Sequence, residues 1–311
     1  MALTGTPVDL HIRKYKDVIE HELQQKGSVL SALMTQTKGE GTSLSISRMG
    51  AIDNAIEVTA RWSLIEPDAA TFERRIVSPV SISSSSFVDH LDLIRGIDPT
   101  SQVVSAISLG LGRKKDALLY AAMSGLAARE LDGIPGTVAF DSNNTIAVNS
   151  VANASATVVD NGLHEGKIKT ALNILAMNFV DLDNDEIVVV GTASQFTKLE
   201  TRLESLGQLR RDFMDKTPLA QPGLARVLTG YKGLKFIQYQ ALADAGNLTG
   251  GDEYVYIFPK SAMTLATWNE PKVTVEAQTN RHGHPWLINA MMDLGAVRMD
   301  EKKMVRVICD I

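Results

Sequence analysis

The chain has 311 residues, 44% of them hydrophobic, with a formal net charge of −5 and a sequence pI near 5.7. That length suits one elaborated domain or two ordinary ones, and the acidic balance argues against a broad basic surface for nucleic acid or an anionic membrane. The single cysteine, Cys309, excludes a disulfide within the chain and an all-cysteine zinc cage, and neither a bilayer-spanning run of roughly 20 apolar residues nor a signal segment is present, so a soluble protein kept in a cytoplasm is expected.

Residues 9 to 26 read as an amphipathic helix. Ile12, Tyr15, Ile19 and Leu23 follow three-and-four spacing onto one face, Lys and Glu hold the other, and Gly27 ends it. The stretch from 35 to 48, TQTKGEGTSLSISR, has too few large apolar side chains to anchor itself, so this arm is expected to pack on something outside itself. Ile56, Val58, Ala60, Trp62 and Leu64 then alternate with Glu57, Thr59, Arg61 and Ser63, the period-two pattern of a strand with one apolar face. Glu66-Pro67-Asp68 is a turn signal, and Phe72, Ile76 and Val77 supply the returning strand of a long hairpin. A lone two-stranded hairpin is marginal in water, so its apolar face is expected to lie on another surface.

Asp98 suits an N-cap and Pro99 the first helical position, and no further proline follows until Pro135, which predicts a very long helix over 98–132. Gly110 and Gly112 inside it predict a bend or a close crossing. Thr137 to Asn149 alternates weakly as strands, and His164 to Asn178 is helical, with Ile168, Leu172, Leu175 and Phe179 as its stripe. EIVVVG, residues 186–191, is a buried strand, and Ser194 opens a helix carrying Phe196, Leu199 and Leu203. Gly230 to Leu242, Glu253 to Phe258, Lys272 to Glu276 and Trp286 to Ala290 predict further strands. The chain closes on a charged turn from Asp300 to Lys303 and a strand from Met304 to Ile308.

Chemistry is sparse. GLGRKK, residues 110–115, lacks the preceding strand, the four-residue gap and the hydroxyl of a phosphate loop, and reads as part of the long helix. VVVGTASQF has the strand, glycine and helix start of nucleotide-binding α/β folds but only one of the three fingerprint glycines. His282 and His284 sit two apart in RHGHPW without a third ligand of obvious spacing, and Val88 to Asp92 offers carboxylates and an imidazole without a nucleophile. No catalytic, cofactor-binding or metal-ligating residues are assigned.

The order of parts, and the ending GAVRMDEKKMVRVICDI above all, resembles the major capsid protein of tailed bacteriophages, the Hong Kong 97-type fold. A second likeness is RKKDALLYAAMSGLA at 113–127, similar to the Arg, Asp and small-residue pattern on that family's spine helix; Val297 departs from the threonine many relatives carry. The resemblance implies an α+β fold with residues 1–40 as an N-terminal arm, 41–85 as an extended β-hairpin loop, and 86–164 as a peripheral domain with spine helix 98–132. Residues 165–270 would form an axial domain, and 271–311 would return to the peripheral domain with the terminal strand.

Asp98, Pro99, Arg113, Asp116, Gly295 and Arg298 would then be structural, and Ile12, Tyr15, Ile19, Leu23, Ile56, Val58, Trp62, Leu64 and Phe72 would contact other subunits. The implied function is self-assembly, through hexamers and pentamers, into the icosahedral head shell around packaged double-stranded DNA, with no enzymatic activity, no cofactor and no membrane. Implied partners are copies of the chain, a scaffolding protein from another chain, a portal, room for a decoration protein, and DNA through non-specific contacts. The implied location is the virion, after assembly in the host bacterial cytoplasm. An encapsulin-like compartment shell and a nucleotide-using α/β enzyme built around Glu186 to Gln195 are the alternatives.

Overall fold

Residues Ile187–Gly191, IVVVG, are all buried and form a strand that has packing on both of its faces. The structure is a computed structural model and describes residues 27–50, 57, 71–88, 100–131, 133–149, 161–205, 233–240, 252–282 and 284–310. Ile12, Tyr15, Ile19, Leu23, Ile56, Val58, Trp62, Leu64, Asp98 and Pro99 lie outside the described residues.

In chain order the strands are β1 (Thr35–Lys38), β2 (Leu44–Met49), β3 (Phe72–Val77), β4 (Val80–Val88), β5 (Ala127–Leu131), β6 (Ile134–Val138) and β7 (Thr145–Ile146). They continue with β8 (Ile187–Gly191), β9 (Lys235–Gln238), β10 (Asp252–Pro259), β11 (Met263–Ala277), β12 (Trp286–Arg298) and β13 (Val305–Asp310). The described helices are α1 (Thr100–Ser124), α2 (Glu165–Met177) and α3 (Ala193–Ser205). Three sheets result, in the orders β1-β11-β12-β4, β7-β13-β10-β8-β9 and β2-β3-β5-β6.

The long helix α1 fills the space between two of these sheets. Its Leu111, Leu119 and Met123 share one cluster with Ile288, Ala290 and Leu294 of β12 and with Val188, Val190, Tyr256 and Phe258 of the second sheet. The opposite face of that second sheet presents Val189, Val255, Ile257, Val305, Val307 and Cys309 to Ile168 and Leu175 of α2 and to Phe196 and Leu199 of α3. Strand alternation divides the two faces, since odd and even positions of β8 and β10 point oppositely. A small third cluster of Val77, Ala127, Ala266 and Val297 joins the β2-β3-β5-β6 sheet to the rest.

Several expectations need correction. The long helix stops at Ser124 rather than running to 132; its 25 residues make about 38 Å. Residues Ala127–Leu131 have helix-forming composition, yet their backbone groups are taken by β3 on one side and β6 on the other. The returning strand Phe72–Val77 pairs with Leu44–Met49 and, through Glu73–Arg75, with Arg129–Leu131, so the described legs of the hairpin are 44–49 and 72–77. The stretch expected to be unanchored is held: β1 pairs in parallel with β11, and Leu30, Leu33 and Met34 are buried in the main core. Backbone hydrogen bonds do for β1 what its exposed side chains do not.

Phe179 does not extend the buried stripe of α2, because the helix ends at Met177 and Phe179 has φ of 59°. The terminal strand pairs with β10 and β7, and its Val305, Val307 and Cys309 face α2 and α3 rather than the long helix. The return of 271–311 is thus divided: β12 joins β11 and β4, whereas β13 joins the sheet of residues 187–191 and 252–259.

Candidate assembly surfaces and their anchors

The charged turn after β12 is the meeting point of all three sheets. Arg48 of β2 donates to the Met299 carbonyl at 3.1 Å and to Asp300 Oδ2 at 2.8 Å. Arg75 of β3, buried at an inward position, donates to the same Met299 carbonyl at 3.2 Å and to Glu301 Oε2 at 2.6 Å. Asn144 Nδ2 donates to the Glu301 carbonyl at 2.7 Å, and Asn178 Nδ2 to the Lys302 carbonyl at 3.0 Å. Charge-assisted bonds are among the stronger polar contacts a protein makes, and of these the Arg75–Glu301 pair is buried. They root the hairpin legs on the turn.

Arg298, fully buried, closes the C-terminal end of α1. It donates through Nη1 to the carbonyls of Met123 at 2.7 Å and Gly125 at 3.0 Å, and through Nη2 to that of Val138 at 3.3 Å. The last carbonyls of a helix lack intrahelical donors and carry the negative end of its dipole, so a guanidinium there meets both needs. Burial pushes the Arg298 guanidinium down from its ordinary value, while Glu301 beside it pulls the other way. Gly295 is placed where the chain between β3 and β4 crosses β12: a Cβ there would meet the Ser78 carbonyl oxygen at 2.5 Å.

Asp116 is buried on α1 and holds the start of the described arm. Its carboxylate accepts the hydroxyl of Ser28, the N–H of Val29 at 2.8 Å and the N–H of Leu30 at 3.1 Å. Gly112, one turn earlier, lets the arm approach, because a Cβ there would lie 2.7 Å from the Gly27 carbonyl carbon. Burial lowers the neighbouring Lys115 ammonium from its usual range, against the pull of Asp116. Arg113, on the same helix, is exposed.

Outward, the surface carries large apolar side chains in groups. Met49 and Phe72 are directly opposed across the β2–β3 pair, each 59% exposed. Leu131 and Ile134, the latter 71% exposed, flank the β5–β6 turn. Phe87, Trp286 and Met291 lie exposed on β4 and β12, and Met177 and Phe179 at the end of α2.

The turn after β8 is filled by the chain itself. Thr192 Oγ1 and Gln195 Nε2 donate to Glu253 Oε2 at 2.6 and 2.9 Å, and a Cβ on Gly191 would press on the Phe196 ring. His282 and His284 are exposed, and among the described residues no group of three or more His, Cys, Asp or Glu is placed to hold a metal ion. Of the residues singled out by sequence, the structure brings Arg298 to the end of the helix that bears Arg113 and Asp116, and sets Gly295 and Phe72 elsewhere on the same framework. Arg48, Arg75 and Asn144 belong to no sequence motif, and Glu301 shows only as part of the charged turn; the inward arginine of FERRIV becomes apparent once the strand's faces are known.

Solved phage capsid structures share this arrangement along almost its whole length. The capsid of cyanophage Pam1 has a TM-score of 0.72 at 12% identity, covering 100% of this chain and 99% of that one. The capsid of Ralstonia phage GP4 gives 0.67 at 11%, covering 99% and 98%, and that of cyanophage P-SCSP1u gives 0.66 at 14%, covering 98% and 94%. Among curated proteins none matches the chain. The fold is therefore that of a phage shell subunit. The phage capsid protein family matches residues 9–311, so the chain belongs to that family and is a structural component of a virion shell built from copies of itself.

Proposed function

We propose that this capsid protein closes an icosahedral head by laying its hairpin and its N-terminal helix over neighbouring subunits. The observation that carries the reading is the hairpin itself. Its described strands are tied by Arg48 and Arg75 to the charged turn, and where they lead into residues 50–71 Met49 stands opposite Phe72, both exposed. An anchored strand pair with an exposed apolar end suits a part that reaches onto another subunit, and Ile56, Val58, Trp62 and Leu64 continue the apolar alternation in the sequence that follows. Ile12, Tyr15, Ile19 and Leu23 are proposed to do the same from the N-terminal side.

The peripheral domain is proposed as α1 with the β1-β11-β12-β4 sheet, and the axial domain as α2 and α3 with the β7-β13-β10-β8-β9 sheet. The turn Lys260–Ala262 is then the boundary, since a boundary at 270 would divide β11. Assembly around a scaffolding protein in the host cytoplasm, a portal at one vertex, an optional decoration protein and enclosed double-stranded DNA belong to the same proposal. They are supported by membership of the capsid family.

Trp62→Asp and Phe72→Asp test the hairpin. Both variants should remain folded and soluble yet fail to form shells, and normal shells from either would remove that residue from the interface. Electron microscopy of the native particle tests the rest: a closed icosahedral shell containing nucleic acid is expected, and a shell holding protein cargo instead would make the particle a compartment.

A further inference from the structure

Helix α2 ends in a conformation that its sequence resists. The N–H of Phe179 bonds to the Ala176 carbonyl at 3.0 Å and that of Val180 to the Leu175 carbonyl at 3.1 Å, the double hydrogen bond of a Schellman cap. The residue at the left-handed position of such a cap is usually glycine; here it is Phe179, at φ 59°. Its ring is 98% exposed, and Met177 beside it is exposed too. Val180 and Leu175 supply the buried apolar contact of the cap, so the Phe179 ring contributes nothing to this subunit's core.

The knob is nevertheless held firmly. Asn178 Nδ2 donates to the Lys302 carbonyl at 3.0 Å and to Asn144 Oδ1 at 3.3 Å. A strained backbone that fixes an exposed aromatic in one place is found where the side chain meets something outside the chain, and pre-ordering it lowers the entropy cost of that contact. The flanking charge narrows the occupant. Asp181, Asp183, Asp185 and Glu186 follow within one loop, which disfavours nucleic acid or any other polyanion.

A second exposed apolar surface lies on the same chain. A hollow on the outward face of β3 is lined by Phe72, Arg74, Glu130 and Gly133, next to exposed Ile134, with Arg74 paired to Glu130 at 4.0 Å across it. We propose that the Met177–Phe179 knob of one subunit docks in the Phe72–Arg74 hollow of a neighbouring copy, a contact between unlike surfaces of the kind that closes rings. The inference rests on the shell function and adds a residue-level contact to it.

Two experiments decide it. Phe179→Gly removes the ring and suits the left-handed backbone, so the purified subunit should melt at the same temperature or higher while shell yield falls on the order of tenfold. With p-benzoylphenylalanine in place of Phe179, irradiated shells should give covalent dimers of this chain, joined to the peptides bearing Phe72 to Arg74 or Glu130 to Ile134. Parental shell yield from Phe179→Gly would overturn the proposal, as would a crosslink within one chain, to another part of a second copy, or to a different protein. Those outcomes leave the shell reading intact as long as the parent protein forms shells, and only failure of the parent to do so would bring both down.

Discussion

The buried carboxylate of Asp116 accepts the N–H of Leu30 at 3.1 Å across 86 positions of sequence. With Val29 and Ser28 it turns one side chain of the long helix into a cap for the incoming arm. Asp116→Ala leaves these donors without their acceptor while Leu30, Leu33 and Met34 remain to be buried. We expect a loss of about 2 to 4 kcal/mol in stability and faster proteolysis between residues 27 and 40. Unchanged melting and unchanged cleavage would show that apolar burial alone holds the arm.

The two helix glycines should respond in opposite directions. A Cβ on Gly110 meets only the end of the Arg113 side chain at 3.7 Å, an ordinary contact, so Gly110→Ala should stabilise by up to about 1 kcal/mol through helix propensity. A Cβ on Gly112 meets the backbone of Gly27 and Ser28 at 2.7 to 2.9 Å, and neither can step aside without moving the arm. Gly112→Ala should therefore destabilise despite the same gain in propensity. Equal shifts in melting temperature for the two variants would contradict the close crossing.

Local pattern made part of this fold legible. The stripe Ile168, Leu172 and Leu175, the apolar run of residues 187–190 and the alternation of Val305 and Val307 each announce an element without reference to distant chain. What stayed hidden depends on partners remote in sequence. AAREL reads as helix because its residues favour helix, and becomes a strand only because β3 and β6 lie on either side of it. Asp116 and Arg298 were singled out by likeness to a family, yet what they hold, an arm 86 positions away and a helix end 175 positions away, has no local signature. Phe179 misled for the same kind of reason: its spacing continues the stripe, but the cap turns it outward.

Arg298 should tolerate no cationic substitute. Lysine retains the charge but cannot direct separate donors to the carbonyls of Met123, Gly125 and Val138, nor reproduce the guanidinium that sits over the Phe140 ring, 5.2 Å from its centroid. Arg298→Lys should cost about 2 to 4 kcal/mol, since buried carbonyls lose their donors and the ammonium is left poorly matched to Glu301. Denaturant melts of the purified subunit measure this, and a change below about 1 kcal/mol would reduce Arg298 to packing.

Alkaline pH should unfold the region between α1 and the second sheet. Burial raises the phenols of Tyr120 and Tyr256 and pushes that of Tyr239 up to about 12, with Asp116 adding to the effect at Tyr239. The neutral phenol is the buried form, so this contribution is complete below the ordinary value of 10.0 and is lost as pH rises toward about 12. Phenolate absorbance and helical circular dichroism should then change together. Ionisation of all tyrosines near the ordinary value with the helix signal intact would contradict their burial.

The terminal strand is expected to be indispensable, for reasons distributed over both of its edges and one of its faces. β13 lies between β10 and β7, so removing residues 301–311 strips partners from Asp252–Ile257 on one side and from Thr145 and Ile146 on the other. It also removes Val305, Val307 and Cys309 from the cluster they form with α2 and α3, at about 1.5 to 3 kcal/mol for each large apolar side chain. Polar contacts are lost with them: the Ile308 carbonyl accepts from the buried Lys167 Nζ at 3.0 Å, and the Asp310 carbonyl accepts from Gln195 and Lys198, both at 2.9 Å. Glu301 goes as well, leaving the buried Arg75 without that carboxylate. Against a typical total of about 5 to 15 kcal/mol, these losses together exceed what a subunit can sustain. Truncation after Asp300 should yield insoluble protein, and the milder Val307→Ala should give soluble subunits that melt lower and exchange the amides of β10 faster. A truncated chain that stays soluble, melts cooperatively and assembles would mean that β10 and α2 are held without β13, and that the sheet's stability lies instead in its pairing with β8.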